Sequence, residues 1–335
     1  MASSGGGFTE DELLAAIRKI LSGEGPGVLV GPGDDAAVLE PGRGNVVATT
    51  DMLVEGVHFD STLTSPRDLG YKAIAVNVSD VAAMAGSPRF ALASLGLSDG
   101  TQPSWIIELF GGMRAACDEY VLSLVGGDLS RAPQTVVSVT VLGEVAGGRA
   151  VLRSGARPGD RIVVTGSLGA SAGGLLLARS DHASAAQPWG RALLDAHFRP
   201  TARVGEAATL AQAGATAMMD ISDGLLLDLW RMCQEGAVGA RLELARVPVA
   251  PELSELSRIL DADPLELATS GGEDYELLST FDADAVEGAA EKLGKRYAVS
   301  LTDIGEITEQ GLVAVDADGA ERAVEPRGWD HFAAR

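Results

Sequence analysis

Cysteines, histidines and basic residues are all scarce in this chain, and each shortage closes off a class of function. Two cysteines, Cys117 and Cys233, cannot build a disulfide framework or a four-cysteine zinc site. Both lie in helix-like segments among apolar neighbours and read as reduced core residues. The four histidines, His58, His182, His197 and His331, are scattered, and no Ser/His/Asp or Cys/His motif stands out for nucleophilic catalysis. Lysine and arginine number 26 against 47 aspartates and glutamates, a formal charge of −21. That balance argues against nucleic acid or an anionic membrane as partner, because both need a basic face. No apolar run approaches the roughly 18 residues of a membrane-spanning helix. Met1 to Gly7 is a small-residue tail without the basic and apolar regions of a secretory signal, so a cytoplasmic protein is expected.

Glycine and carboxylates are what the chain does have. At 335 residues it is long enough for two domains, and 46% hydrophobic content is that of a globular protein. Its 42 glycines imply tight turns or close backbone approach to a ligand. The stretch Gly31-Pro-Gly-Asp-Asp-Ala-Ala-Val-Leu39 sets Asp34 and Asp35 between a turn and an apolar run. A second run, Val46 to Ala48, delivers Thr49, Thr50 and Asp51. Each has the form of a strand with hard oxygen ligands at one end, which suits Mg2+ rather than zinc. The plainer reading is an ordinary Asp/Gly turn.

Thr9 can cap a first helix over Glu10 to Leu21. Ser65 and Pro66 open a helix that runs to Met84, with Gly86 as its end. On it, Asn77, Asp80 and Met84 share a stripe with the apolar Ala73 and Val76. A carboxylate on such a stripe is costly unless it is paired or bound to metal. Phe90 to Leu97 and Thr135 to Val145 read as strands, and Ser104 to Tyr120 as a helix. Val121 to Val125 reads as a strand ending in Gly126-Gly127-Asp128. Gly147-Gly148 marks the expected boundary, giving domains 1–147 and 148–335.

Beyond the boundary, the strand Arg161 to Thr165 leads into a glycine-rich turn, Gly166 to Gly174, and a helix from Leu175. Such a turn can cradle phosphate on backbone N–H groups, although the spacing fits neither the dinucleotide fingerprint nor the P-loop. Tight strand–helix packing explains the glycines equally well. Helices follow at Pro188 to His197 and Ala202 to Ala213. The strand Met218 to Ile221 is interrupted by Asp220, and Ser222 is placed to cap a helix through Met232, with Asp223 at its start. Ser270-Gly-Gly-Glu-Asp-Tyr275 precedes the strand Glu276 to Thr280. A helix from Ala283 to Leu293 and strands near Ala298 to Ile307 and Leu312 to Val315 complete an α/β unit. Gly328-Trp-Asp-His-Phe332 is an aromatic packing plug or a lid over a flat ligand.

The acidic residues Asp34/Asp35, Asp51, Asp80, Asp128 and Asp220/Asp223 sit at the ends of expected elements or on a helix stripe. If they converge, the site needs cations, and Mg2+ bridging carboxylates to a polyphosphate is the simplest resolution. Phosphoryl transfer asks mainly for positioning and charge neutralisation, which needs no protein nucleophile.

Six segments carry a resemblance to a known family. They are Gly33-Asp-Asp-Ala-Ala-Val38, Thr49-Thr-Asp-Met-Leu-Val-Glu-Gly-Val-His-Phe59, Lys72 to Met84, Gly126-Gly-Asp128, Asp220-Ile-Ser-Asp-Gly224 and Ser270 to Glu276. Together they resemble the thiamine-monophosphate kinases, within the ATP-binding superfamily of aminoimidazole ribonucleotide synthetase. The resemblance implies a two-domain α/β (α+β) fold whose N-terminal sheet pairs with its copy in a homodimer. It implies Mg2+-dependent, in-line phosphorylation of thiamine monophosphate by ATP. It makes Asp35, Thr49, Thr50, Asp51, Asp80, Asp128, Asp220 and Asp223 metal ligands, with Asp35, Asp51, Asp80, Asp128 and Asp220 central to catalysis. It sets Gly127, Asp128, Arg153 and Ser222 against ATP with Tyr120 stacking on adenine, and His58, Glu273 and Trp329 against thiamine phosphate. Other branches of the superfamily compete. A selenophosphate synthetase would carry a Cys in an N-terminal loop, and Met1 to Val30 has none; a hydrogenase maturation factor would end in Cys, and this sequence ends in Arg335.

Overall fold

The structure, a computed structural model, describes residues 10–21, 25–30, 38–40, 42–145, 147, 150–180, 186–316 and 318–329. Contacts divide the chain into two units, one of residues 1–78 and 88–144, the other of 79–87 and 145–335.

The first unit begins with α1 (Glu10–Leu21), β1 (Val28–Val30), β2 (Val38–Leu39), β3 (Asn45–Val54) and α2 (Pro66–Ala83). It continues with β4 (Ser87–Leu97), α3 (Pro103–Tyr120), β5 (Ser123–Arg131) and β6 (Val136–Val145). Among the described residues β1 and β2 pair, and four strands form a sheet in the order β3-β6-β4-β5. α2 starts as its sequence dictates: the Asp68 N–H donates to Ser65 Oγ at 3.1 Å, and the Ser65 hydroxyl donates to the Asp68 carboxylate at 2.7 Å. Its end differs from expectation. Ala85, not Gly86, takes the left-handed conformation (φ 58°), and the Gly86 N–H reaches back to the Val81 carbonyl. Nor is there a single apolar stripe, since every residue from Leu69 to Ser79 is buried.

Two strand limits also move. Thr49, Thr50 and Asp51 lie in the middle of β3 rather than at a strand end, because pairing with β6 continues past them. Val121 closes α3 in the left-handed conformation, so β5 starts at Ser123 and runs through Gly126-Gly127-Asp128 instead of ending there.

The second unit contains β7 (Arg161–Thr165), α4 (Ala170–Arg179), α5 (Pro188–Phe198), α6 (Val204–Ala213), β8 (Ala217–Asp220), α7 (Leu225–Gly236) and β9 (Gly239–Glu243). After these come α8 (Leu253–Leu256), α9 (Pro264–Ser270), β10 (Leu277–Phe281), α10 (Val286–Tyr297), β11 (Leu301–Thr308), β12 (Leu312–Val315) and β13 (Glu321–Ala323). The described strands form a mixed sheet in the order β13-β12-β9-β11-β7-β10-β8. Its central strands are apolar on both sides because both faces are covered. Ile162, Val164, Met219 and Leu278 join one core with Leu225 and Leu229 of α7, while Val163, Met218 and Leu277 join another with Leu210 of α6 and Leu293 of α10. Cys117 and Cys233 are buried and free, as their apolar settings require.

Candidate functional site

In the first unit, the expected site residues divide between β3, which carries Thr49, Thr50 and Asp51, and β5, which carries Gly127 and Asp128, the two edge strands of the four-stranded sheet. The Asp51 N–H donates to Asn77 Oδ1 at 2.9 Å, and the Asp51 carbonyl accepts from Ser138 Oγ at 3.2 Å. Asn77, 1% exposed, is the α2 residue that fixes the backbone of Asp51, a role its place on a stripe did not reveal. The Thr50 hydroxyl donates to the Val139 carbonyl and accepts from Thr140 Oγ1, each at 3.0 Å. On β5, Asp128 is exposed and accepts from Ser130 Oγ at 2.9 Å. Beside it, a Cβ on Gly127 would lie 1.8 Å from the Ala93 carbonyl oxygen, so the β4–β5 pairing itself demands glycine.

Tyr120 ends α3 with its hydroxyl 3.1 Å from that of Tyr71, and burial with the Tyr120 contact pushes the Tyr71 phenol far up from its ordinary value. His58 Nδ1 accepts the Val54 N–H at 3.0 Å. Asp34 and Asp35 lie outside the described residues, as do His182 and His331.

In the second unit, Asp220 ends β8 with 2% of its surface exposed. The Ser79 hydroxyl donates to its Oδ2 at 2.6 Å. Burial first, and then the charge of Asp80, pushes its carboxyl up to about 8; Asp228 adds to this and Arg153 opposes it. Asp80, Asp228 and Arg153 are therefore near enough to Asp220 for their charges to act on it.

The next two residues are organised from α7. Ser222 does not cap that helix. Instead Asp228, on its first turn, reaches back, and its Oδ2 accepts the N–H groups of both Ser222 and Asp223 at 3.0 Å. Burial pushes the Asp228 carboxyl up to about 6, and Arg231 holds it at 2.8 Å while also pairing with Asp223. Main-chain bonds then collect the remaining residues. The Glu273 N–H donates to the Ser222 carbonyl at 2.7 Å, and the Trp329 N–H donates to the Asp223 carbonyl at 2.9 Å. Ser222-Asp223, Glu273 and Trp329, from three segments far apart in sequence, thus form one loop cluster.

The glycine-rich turn after β7 is not a phosphate cradle in this structure. The N–H groups of Gly169 and Ser171 donate to the Asp274 carboxylate at 2.7 and 3.3 Å, so a side chain from another loop already occupies the start of α4. α4 also begins at Ala170 rather than Leu175. Glu276, 6% exposed, accepts from Thr165 Oγ1 at 2.5 Å and from Arg203 Nε at 2.9 Å. Among the described residues no three Asp, Glu, His or Cys side chains are close enough together to enclose a metal ion. The chemistry of the donors still fits a hard cation: Asp220 is buried beside a second carboxylate, and a divalent ion is what would let both stay ionised.

Two families match in tandem: AIR synthase related protein, N-terminal domain, over residues 33–145, and AIR synthase related protein, C-terminal domain, over residues 157–318. They define the class, a two-domain AIR synthase-like α/β protein. Within it, thiamine-monophosphate kinase of Aquifex aeolicus is 37% identical over 303 residues, covering 90% of this chain and 92% of that protein. The solved structure of AaThiL complexed with AMPPCP and TMP superposes with a TM-score of 0.77 at 36% identity, covering 96% of this chain and 97% of the other. The chain belongs to the thiamine-monophosphate kinase family. A hydrogenase maturation protein, HypE in complex with ATP, has a TM-score of 0.78 at 20% identity over 98% of this chain and 97% of its own, a likeness of fold alone.

Proposed function

We propose that this protein transfers the γ-phosphoryl group of ATP to thiamine monophosphate, yielding thiamine diphosphate and ADP. A phosphate oxygen of thiamine monophosphate attacks the γ-phosphorus in line with the departing ADP oxygen; one P–O bond forms as the other breaks. The observation that carries this reading is the assembly of Ser222, Asp223, Glu273 and Trp329 around the start of α7, with Asp220 buried beside Asp80.

Asp35, Thr49, Thr50, Asp51, Asp80, Asp128, Asp220 and Asp223 are the residues that would hold Mg2+. When bound, Mg2+ neutralises phosphate charge and polarises the transferring group. Asn77 steadies Asp51 through its backbone, and Ser79 orients Asp220. Gly127, Asp128, Arg153 and Ser222 would contact ATP. Tyr120, whose hydroxyl is engaged by Tyr71, would offer its ring to the adenine. His58, Glu273 and Trp329 would receive thiamine monophosphate, the indole facing the cationic ring and the carboxylate the aminopyrimidine. In this reading residues 1–147 bind ATP and form a cytoplasmic homodimer, and 148–335 complete the enzyme. One support for the dimer is the face of the first sheet, where Val46 (70%), Met52 (55%) and Leu92 (39%) expose apolar surface.

A coupled ATP assay with Mg2+, offered thiamine monophosphate, thiamine or formylglycinamidine ribonucleotide, tests the substrate. Thiamine diphosphate formed from the monophosphate alone is the expected result; turnover of the amidine alone would move the protein to the synthetase branch. Asp51→Asn is expected to cut turnover at least about a hundredfold with the fold intact, since a neutral amide holds Mg2+ poorly. Near-normal turnover of that variant at limiting Mg2+ would remove Asp51 from the mechanism.

A further inference from the structure

The acidic loop from Ser270 to Glu276 is anchored at three side chains, and they differ in what they hold. Asp274 closes the start of α4, and Glu276 is gripped by Arg203 and Thr165, so two of the three acids are tied into the scaffold. The third, Glu273, has a left-handed backbone (φ 67°), a conformation that persists only where its surroundings enforce it. Its Oε2 lies 3.3 Å from Nδ1 of His197, which is 6% exposed in the last turn of α5. The same Nδ1 is 3.1 Å from Ser171 Oγ. An ionised carboxylate only accepts, so the contact is attractive when Nδ1 carries the proton; the Ser171 hydroxyl can rotate to accept beside it or to turn away. The imidazole has little freedom to leave. A Cβ on Gly174 would lie 2.0 Å from the Leu193 carbonyl oxygen and 2.9 Å from His197 Cβ, so α4 and α5 are in backbone contact, and Phe198 packs at 5.0 Å from the imidazole.

We infer that His197 is a positioning residue, whose Nδ1–H fixes the direction of the Glu273 carboxylate and so sets the affinity for the thiamine moiety without touching it. This inference rests on the assignment of Glu273 to thiamine monophosphate. His197→Leu keeps bulk and removes the donor, whereas His197→Asn returns an N–H near the place of Nδ1. The expected result for His197→Leu is a KM for thiamine monophosphate raised about tenfold with the KM for ATP within about twofold of wild type. His197→Asn should recover to within about threefold. If the Leu variant does not fold, His197→Gln, which displaces the donor, replaces it with the same expectation. Leu and Asn variants that behave alike, or two KM values that move together, would overturn the inference and leave His197 a packing residue. Glu273→Ala separates the two claims. If it leaves the KM for thiamine monophosphate unchanged, the substrate assignment falls and the inference with it. If it raises that KM while His197→Leu does not, only the positioning role falls.

Discussion

A carboxylate buried as deeply as Asp220 is a liability to the folded chain, and the sign of its pH dependence follows from its surroundings. With its folded value raised to about 8 from 3.8, the folded protein retains a proton that the unfolded chain releases. The resulting stability is fully present below about pH 4 and is lost as pH rises through about 8. Asp220→Asn keeps an acceptor for the Ser79 hydroxyl and removes the ionisation. In divalent-free buffer the variant should therefore be more stable than wild type at about pH 8.5, by several kcal/mol, and similar to it near pH 4. Urea midpoints at the two pH values measure this; a wild type whose stability does not fall over that range would contradict it. The same substitution should abolish turnover, so one residue would trade stability for function. Asp220 was legible as a carboxylate interrupting an apolar strand, but its partners were not. Ser79 and Asp228 are ordinary helix residues in sequence, and only the fold turns one into a hydrogen-bond donor and the other into the acceptor that closes the turn before α7.

Among the elements, the legible ones carry their own start signals. Ser65-Pro66 opens α2, and the Asp263 side chain accepts the Leu265 N–H ahead of Pro264 to open α9, a short helix whose Asp-Pro signal was present but unread. The ends were harder, because four of the described helices, α2, α3, α7 and α10, close on non-glycine residues in the left-handed conformation, Ala85, Val121, Ala237 and Ala298. Ala85 and Val121 both take φ 58°. For a β-branched residue this is strained, and Val121 is 73% exposed, so little packing would be lost on truncation. Val121→Gly should raise stability by about 1 kcal/mol, read as a higher midpoint of thermal unfolding without change in turnover. An unchanged or lower midpoint would mean that the side chain packs better than its exposure implies. The opposite holds at Gly127, which the sequence offered as a ligand contact and the structure also requires for β4–β5 pairing. Gly127→Ala should cost about 2 kcal/mol even in the absence of ATP, because the new Cβ would lie 1.8 Å from a backbone oxygen that cannot move alone. Equal stability with weakened ATP binding would assign the glycine to the ligand instead.

At the scale of the whole chain, a formal charge of −21 works against both compactness and the approach of a polyphosphate. A two-domain α/β fold was readable through the resemblance that six segments carry, whereas His197 beside Glu273 and Asp274 at the start of α4 depend on folding that no local spacing encodes. The charge alone would make any salt stabilising through screening, so screening and specific binding must be separated. At constant ionic strength, exchanging K+ for Mg2+ leaves the Debye length unchanged, near 8 Å at about 0.15 M. A stabilisation that persists under that exchange therefore measures ions bound by the folded state, growing as RT ln(1 + [L]/Kd). Mg2+ at about a hundred times its Kd should add about 2.7 kcal/mol by this relation, seen as a rising unfolding midpoint at fixed ionic strength. Asp220→Asn should lose most of that increment while keeping the general response to salt. If wild type gains no more from Mg2+ than from K+, its acidic residues form a screened surface rather than a cation site, and the transfer would have to draw its metal from the ATP alone.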